Sequence, residues 1–297
     1  MRNFVLWLSP ARLPFLVLTP ACVSLGLASV HWTHDHLDLL MAALVMLGAL
    51  AAHVSVNAFN EYLDFRSGLD AMTKPTPFSG GSGVLPAHPD LAGPTLAMAV
   101  GSLAISIGVG LYFVVWQGLA LLPLGLVGIA LVLAYTPWIT RHTLLCLIAP
   151  GLGFGPLMVV GTHVALTGSY SGTALVASLV PFFLVNNLLL LNQFPDAQAD
   201  ARVGRRHILV TSGPAVAARY YTAFAALAFV SLTVAVLAGL LPAGALLGLL
   251  TLALALPTMR DVRTHALDIQ QLLPAMGRNV LLAILTPVLM ATGMLMS

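Results

Sequence analysis

Charge is what this sequence has least of: Asp, Glu, Lys and Arg make up 7% of its 297 residues, against roughly a quarter in an ordinary soluble domain. That shortage excludes a water-soluble globule with a solvated charged face. With hydrophobic residues at 59%, the chain reads as an integral membrane protein. Cysteine is nearly absent as well. Cys22 and Cys146 both fall inside apolar runs, so no disulfide framework is expected. No stretch alternates apolar and polar residues over segments of about ten, which excludes a transmembrane barrel. The N-terminal MRNFVLWLSPARLPF has an early Arg, a broken apolar run and no small-residue cleavage site. It reads as an interfacial lead-in and not as a removed signal peptide. The net charge of +2 is small and spread along the chain, and it gives no reason to invoke nucleic acid.

What is present is apolar length. Nine segments are long enough to cross a bilayer as helices, at about 14–30, 38–60, 91–115, 119–136, 144–167, 173–194, 215–239, 243–259 and 277–296. The expected fold is all-α: a polytopic nine-helix bundle forming a single domain over residues 1–297, with motif loops at 61–90 and 196–214. The twelve Lys and Arg residues lie before the first segment, or in or beside the loops after the second, fourth, sixth and eighth. By the positive-inside rule the N-terminus is cytoplasmic and the C-terminus outside, in a membrane of the bacterial or archaeal cytoplasmic type. The first outer loop, HWTHDHLD, offers His34, Asp35 and His36. Neighbours in a short loop point apart and no further ligands are evident, so a solvated loop is expected there and not a metal site.

Polar residues concentrate at the inner ends of two helices. In HVSVNAFNEYLDFRSGLD, His53, Asn57, Asn60 or Glu61, and Asp64 share one helical face. In NNLLLLNQFPDAQADARVGRR, Asn192, Asp196 and Asp200 recur at intervals of four. Asn60-x-x-x-Asp64 and Asn192-x-x-x-Asp196 are the same word 132 positions apart. Gly68 should break the first helix and let Asp70 fold back towards Asp64. Interior His and Asn must face the bundle or a water-filled space; for His53 alone, a helix-to-helix hydrogen bond would suffice. Between the two stretches, Ser79-Gly80-Gly81-Ser82-Gly83 is either a flexible linker or a loop whose N–H groups could receive phosphate. A loop from Phe65 to Asp90 is also long enough to act as a lid. Tyr135 reads either as a belt aromatic at the interface or as a pocket hydroxyl.

Two carboxylate clusters with nearby cations, above an apolar interior, suit a molecule with an anionic head and a hydrocarbon tail. Mg²⁺ takes oxygen ligands and is commonly held by one or two carboxylates together with substrate phosphates. Asn60, Asp64, Asp70, Asp196 and Asp200 are its candidate ligands. Arg66, Lys74, Arg141, Arg205 and Arg206 are candidate diphosphate contacts, and His53, Asn57 and Asn192 are candidates for an acceptor pocket. An allylic diphosphate bound there would ionise, and an electron-rich partner would attack the resulting cation in a water-poor site.

NAFNEYLDFRSGLD, PFSGGSGVLP and NQFPDAQADARVGRR resemble the two Asp-rich regions of the UbiA superfamily of intramembrane prenyltransferases, and the nine-segment arrangement is similar over nearly the whole chain. The resemblance implies that Asn60, Asp64, Asp196 and Asp200 take the Mg²⁺-diphosphate roles. It further implies Arg205 or Arg206 at the diphosphate and Tyr135 near the reacting prenyl carbon. The Asp64-x5-Asp70 spacing is similar to the menaquinone branch, which prenylates 1,4-dihydroxy-2-naphthoate. Two features depart from the pattern: Glu61 stands where many members carry Asp, and the stretch after Tyr135 lacks the Pro- and Gly-rich run of the menaquinone enzymes. The expected activity is therefore Mg²⁺-dependent transfer of a polyprenyl group from a polyprenyl diphosphate to a small aromatic acceptor. The alternatives are 4-hydroxybenzoate, homogentisate or a non-aromatic isoprenoid as acceptor, or an ion-coupled transporter. A transporter would place its charges near the midplane, whereas these lie at the inner helix ends.

Overall fold

The computed structural model describes residues 6–34, 37–73, 76 and 78–297. Among them every regular element is helical. Two 3₁₀ turns, Ser9–Ala11 and Leu13–Phe15, lead into α1 (Leu18–His34), followed by α2 (Leu39–Ser67) and α3 (Ala92–Gln117). The chain continues through α4 (Leu119–Ala134), α5 (Thr143–Thr167), α6 (Gly172–Arg202), α7 (Pro214–Leu237), α8 (Ala243–Thr264) and α9 (Ile269–Leu295).

Eight helices among the described residues are long and apolar enough to span a membrane. The expected fourth segment is instead the shorter helix α4, which is 16 residues from Leu119 to Ala134 and thus roughly 24 Å long at 1.5 Å per residue. Gly118 on one side and the turns beginning at Tyr135 on the other cut it short. Both motifs are more helical than expected. α2 continues through Glu61 and Asp64 to Ser67, where Gly68 ends it in the left-handed region at φ 76°. α6 carries Asp196 and Asp200 within its last turns, despite Pro195.

α6 is the axis of the bundle. Its Ala177, Val180, Leu184, Val185 and Leu188 pack against Leu18, Cys22 and Leu25 of α1, Ala228 and Leu232 of α7, and Ala283 and Met290 of α9. Cys22 and Cys146 are buried and free. α3 lies at the periphery, with Val100, Ile105, Leu111 and Val115 exposed. In a bilayer those side chains face acyl chains and carry no hydration penalty.

The α5–α6 contact depends on small residues. Pro150 cannot donate a helical hydrogen bond, and the backbone widens into a π-helical stretch over Gly153–Val160. Such widened turns are rare and often border functional sites. The N–H of Gly151 donates to Asn186 Oδ1 across the interface at 2.6 Å. A Cβ on Gly151 would run into the Phe182 carbonyl and the Asn186 side chain, whereas one on Gly153 would meet open space. Gly151→Ala is therefore expected to destabilise the bundle by about 1–3 kcal/mol, with Gly153→Ala close to neutral. Thermal unfolding of both variants in detergent reads the difference.

Candidate active site

A cavity of about 570 Å³ lies among α2, α3, α4, α5 and α6. Its walls are mostly Leu, Val, Ile, Gly and Phe, with His53, Ser106 and Thr162 among them, and further polar residues gather at the motif end: Asn57 and Asn60 of α2, Tyr135 after α4, Asn192 of α6, and Arg12 from the segment before α1. Leu111 and Leu126 line this cavity and are also more than half exposed. The cavity therefore reaches the lipid-facing surface between α3 and α4.

One helical turn beyond Asn60 and Asn192 stand the carboxylates. Arg205, from the loop after α6, forms ion pairs with both motifs at once, through Nη2 to Asp64 and through Nη1 to Asp200 at 2.9 Å. Asn60 Nδ2 donates to the other oxygen of Asp64 at 3.0 Å and to Thr136 Oγ1 at 3.2 Å. The second oxygen of Asp200 faces His207 Nε2 at 2.9 Å. Both carboxylates are thus fully engaged, and the two helix ends are joined through one guanidinium.

A second buried anion ties down the loops. Glu61 has no exposed surface. It accepts from Arg12 Nε and Nη2 at 3.2 and 3.0 Å, from the Ser82 N–H at 2.8 Å, and from the Ser82 hydroxyl. Gly80 N–H donates to Asp196 Oδ2 at 3.0 Å. The Gly-rich loop therefore lies across both motifs, and its N–H groups serve protein carboxylates in this structure. Gly81, at φ 71°, brings backbone against Asp70, where a Cβ would crowd Oδ1.

Among the described residues of the motif end, Asp70 Oδ2, Asp196 Oδ1 and Asn192 Oδ1 are buried without a hydrogen-bond partner. Burial, reinforced by the nearby charges of Glu61 and Asp64, pushes the Asp70 carboxyl up to about 7. Unpartnered oxygen donors of this kind fit a hard divalent cation. Among the described residues, however, no group of three or more His, Cys, Asp or Glu side chains is gathered to hold an ion unaided.

The expected site residues divide accordingly. Asn60, Asp64, Asp70, Asp196, Asp200 and Arg205 converge. Asn57, Asn192, Tyr135 and His53 line the cavity, but His53 is already committed to Thr19 Oγ1 at 2.7 Å and lies edge-on to Phe154. Arg66 is exposed and turned to the Tyr62 hydroxyl at 3.3 Å. Arg141 and Arg206 are exposed, and the Arg206 backbone joins Thr140 and Thr143. Lys74 lies outside the described residues. Sequence reasoning missed Arg12, His207 and the pairing role of Glu61. For Glu61 the signal was its place beside Asn60 in the motif; Arg12 and His207 carried none, because their partners are remote in the chain or on another turn.

This is a helical membrane bundle with a hydrocarbon-sized cavity capped by paired carboxylates and a guanidinium. The chain belongs to the UbiA prenyltransferase family, whose sequence pattern matches residues 17–267. It is 27% identical over 195 residues to the 1,4-dihydroxy-2-naphthoate octaprenyltransferase of Bacillus subtilis (strain 168); the match covers 65% of this chain and 61% of that relative's length. In fold it is similar to a UbiA homologue from Aeropyrum pernix K1, with TM-score 0.69 and 17% identity over 95% of this chain and 97% of that one. It is similar also to a UbiA homologue from Archaeoglobus fulgidus bound to DMAPP and Mg²⁺, with TM-score 0.58 and 13% identity over 96% and 99% of the two chains.

His207 is 2% exposed, and its Nδ1 is buried without a partner. Removing the ring in His207→Ala orphans the Asp200 oxygen it faces and should cost about 1–3 kcal/mol. His207→Gln, which restores a donor, should recover part of that loss in the same thermal measurement.

Proposed function

We propose that this protein transfers a polyprenyl group from an allylic polyprenyl diphosphate to an aromatic acceptor within the membrane, the acceptor being a quinone precursor such as 1,4-dihydroxy-2-naphthoate. The observation that carries this reading is the apolar cavity of about 570 Å³ whose polar end abuts both carboxylate motifs. An anionic head and a hydrocarbon chain are both satisfied there. The opening between α3 and α4 lets a chain longer than the cavity continue into lipid. The name of the Bacillus relative and the DMAPP and Mg²⁺ in the Archaeoglobus homologue support the same reading.

Asp70 and Asp196, each with an unpartnered oxygen, would hold Mg²⁺ together with Asn60, Asp64 and Asp200 and the oxygens of the diphosphate. Bound there, Mg²⁺ would neutralise the charge that develops on the departing diphosphate. Arg205 sits between the motifs with its charge fixed by two carboxylates, and it donates N–H groups to phosphate oxygens without needing to be reoriented. Asn60, held to Asp64 and Thr136, keeps that carboxylate in place. Tyr135 and the apolar walls enclose the prenyl carbon and keep water from capturing the cation. The C–O bond to the diphosphate breaks with its electron pair leaving on oxygen. An electron pair of the acceptor ring forms the new C–C bond. The ring then regains aromaticity by losing the substituent on the attacked carbon, either a proton or a carboxylate as CO₂. The distribution of basic residues supports a cytoplasmic position for this chemistry.

Purified protein in lipid, given a polyprenyl diphosphate, Mg²⁺ and a panel of 1,4-dihydroxy-2-naphthoate, 4-hydroxybenzoate and homogentisate, should yield prenylated naphthoate. In Asp196→Ala the rate should fall about a hundredfold or more. Product from no acceptor, with diphosphate binding intact, would remove the aromatic assignment.

Titration of Asp70 adds a pH dependence. Its carboxyl is raised to about 7, so below that pH it is protonated and a cation must displace the proton. Apparent Mg²⁺ affinity should rise roughly tenfold per pH unit up to about 7 and then level off. Calorimetry between pH 5.5 and 8.5 would show this, and Asp70→Asn should flatten the profile.

A further inference from the structure

We propose that His34 and His163 bind a divalent late first-row transition metal ion at the end of the bundle opposite the carboxylate motifs, where the ion ties α1 to α5. The inference is independent of the prenyl-transfer reading. Counting only its own residues, the loop after α1 lacks a further ligand for His34, and a solvated loop is expected. The fold supplies that ligand from α5. Asp35 and His36 lie outside the described residues. His163 has no exposed surface, and its ring lies edge-on to that of His34, with centroids 5.7 Å apart and planes at 64°.

Two hydroxyls of α1 decide where each ring carries its proton. His163 Nδ1 lies 2.9 Å from Ser29 Oγ, and His34 Nδ1 lies 2.8 Å from Thr33 Oγ1. Both hydroxyl protons are already used within α1: Ser29 Oγ donates to the Gly26 carbonyl at 2.6 Å, and Thr33 Oγ1 to the Ser29 carbonyl at 2.8 Å. Each hydroxyl can therefore only accept from its histidine, so each neutral ring holds its proton on Nδ1. Both Nε2 atoms are left as lone pairs. That of His163 is buried without a hydrogen-bond partner, and among the described residues none reaches that of His34. Two lone pairs cannot satisfy one another; a cation, or a water donating to both, can.

The cation is favoured because this is how metal-binding histidines are held, with the second ring N–H given to a fixed acceptor that sets tautomer and orientation. The spacing agrees. With metal–nitrogen bonds of about 2.1 Å, an ion sits about 3.2 Å from each ring centroid, so two imidazoles on one ion stand about 5–6 Å apart. Imidazole nitrogen selects Zn²⁺, Cu²⁺ or Ni²⁺ over Mg²⁺, which takes oxygen; the site is thus chemically distinct from the carboxylate motifs. His34 is exposed, and water can complete the coordination. The two helices are already fixed against each other beneath the rings, since a Cβ on Gly26 would stand 2.6 Å from Thr162 Cβ. Thr162 and Ala165, flanking His163, line the large cavity. An ion joining His34 to His163 therefore clamps the end of that cavity remote from the motifs.

The test uses purified full-length protein in nanodiscs, without a histidine tag and with excess Mg²⁺ to occupy the motif carboxylates. Electron spin resonance of a single bound equivalent of Cu²⁺ should show coupling to two imidazole nitrogens; coupling to one or to none would overturn the proposal. Zn²⁺ should bind by calorimetry and raise the thermal unfolding temperature. His34→Ala, at an exposed position, should leave the fold intact and weaken Zn²⁺ binding by at least about tenfold. Ser29→Ala removes only the acceptor of the His163 N–H and should weaken it by about 10- to 100-fold. Unchanged Zn²⁺ affinity in either folded variant would overturn the assignment. If Ser29→Ala fails to fold, His34→Ala decides. Wild-type protein that binds neither ion would also overturn it, leaving a water molecule as the bridge between the rings.

Discussion

The arrangement depends on one largely buried cation, Arg205, shared by carboxylates of two different helices. An isolated charge at a helix end inside a membrane bundle would be costly, and so would an isolated Asp64 or Asp200. Together they offset one another, with Asn60 and His207 supplying the remaining hydrogen bonds. The motif ends of α2 and α6 are thereby held together although the cavity separates the same helices farther in. Without that bridge, two carboxylate clusters facing each other would repel and open the mouth.

A division of labour follows among residues that look alike in sequence. Asp64 and Asp200 have both oxygens occupied and hold Arg205 between the two helices. Asp70 and Asp196 each keep an oxygen without a partner. The Gly-rich loop is held to this assembly from two sides, by Glu61 and by Asp196. Its Gly80 and Ser82 N–H groups are engaged by those two carboxylates.

The bundle supports this head group with ordinary membrane-protein means. Small residues bring α5 and α6 close enough for Asn186 to accept from the Gly151 N–H, between Pro150 and the π-helical stretch. Buried polar links, such as Tyr221 to Asn279 and Thr251 to Thr286, fasten the remaining helices. α3 and α4 stay outside the tightly packed centre, which keeps a gap open to lipid beside the cavity.

The membrane class, the long helices and the two matched motifs were legible in the sequence, because hydropathy and four-residue spacing are local properties that a helix converts directly into faces. The break at Gly68 was legible for the same reason. Which cation serves the carboxylates was not: Arg66, Arg141, Arg205 and Arg206 are alike in composition, and only Arg205 joins the two motifs, reaching Asp64 across 141 positions. Arg12 meets Glu61 across 49 positions and Gly80 meets Asp196 across 116. No periodicity in the chain encodes such pairings. The length of α4 turned on where two turns form, and the free oxygens of Asp70 and Asp196 on which neighbours reached them first. By itself the sequence determined that charge would gather at two helix ends above an apolar interior. Only the tertiary structure decided which charges neutralise one another and which oxygens are left to bind something else, because that depends on distances between segments far apart in the chain.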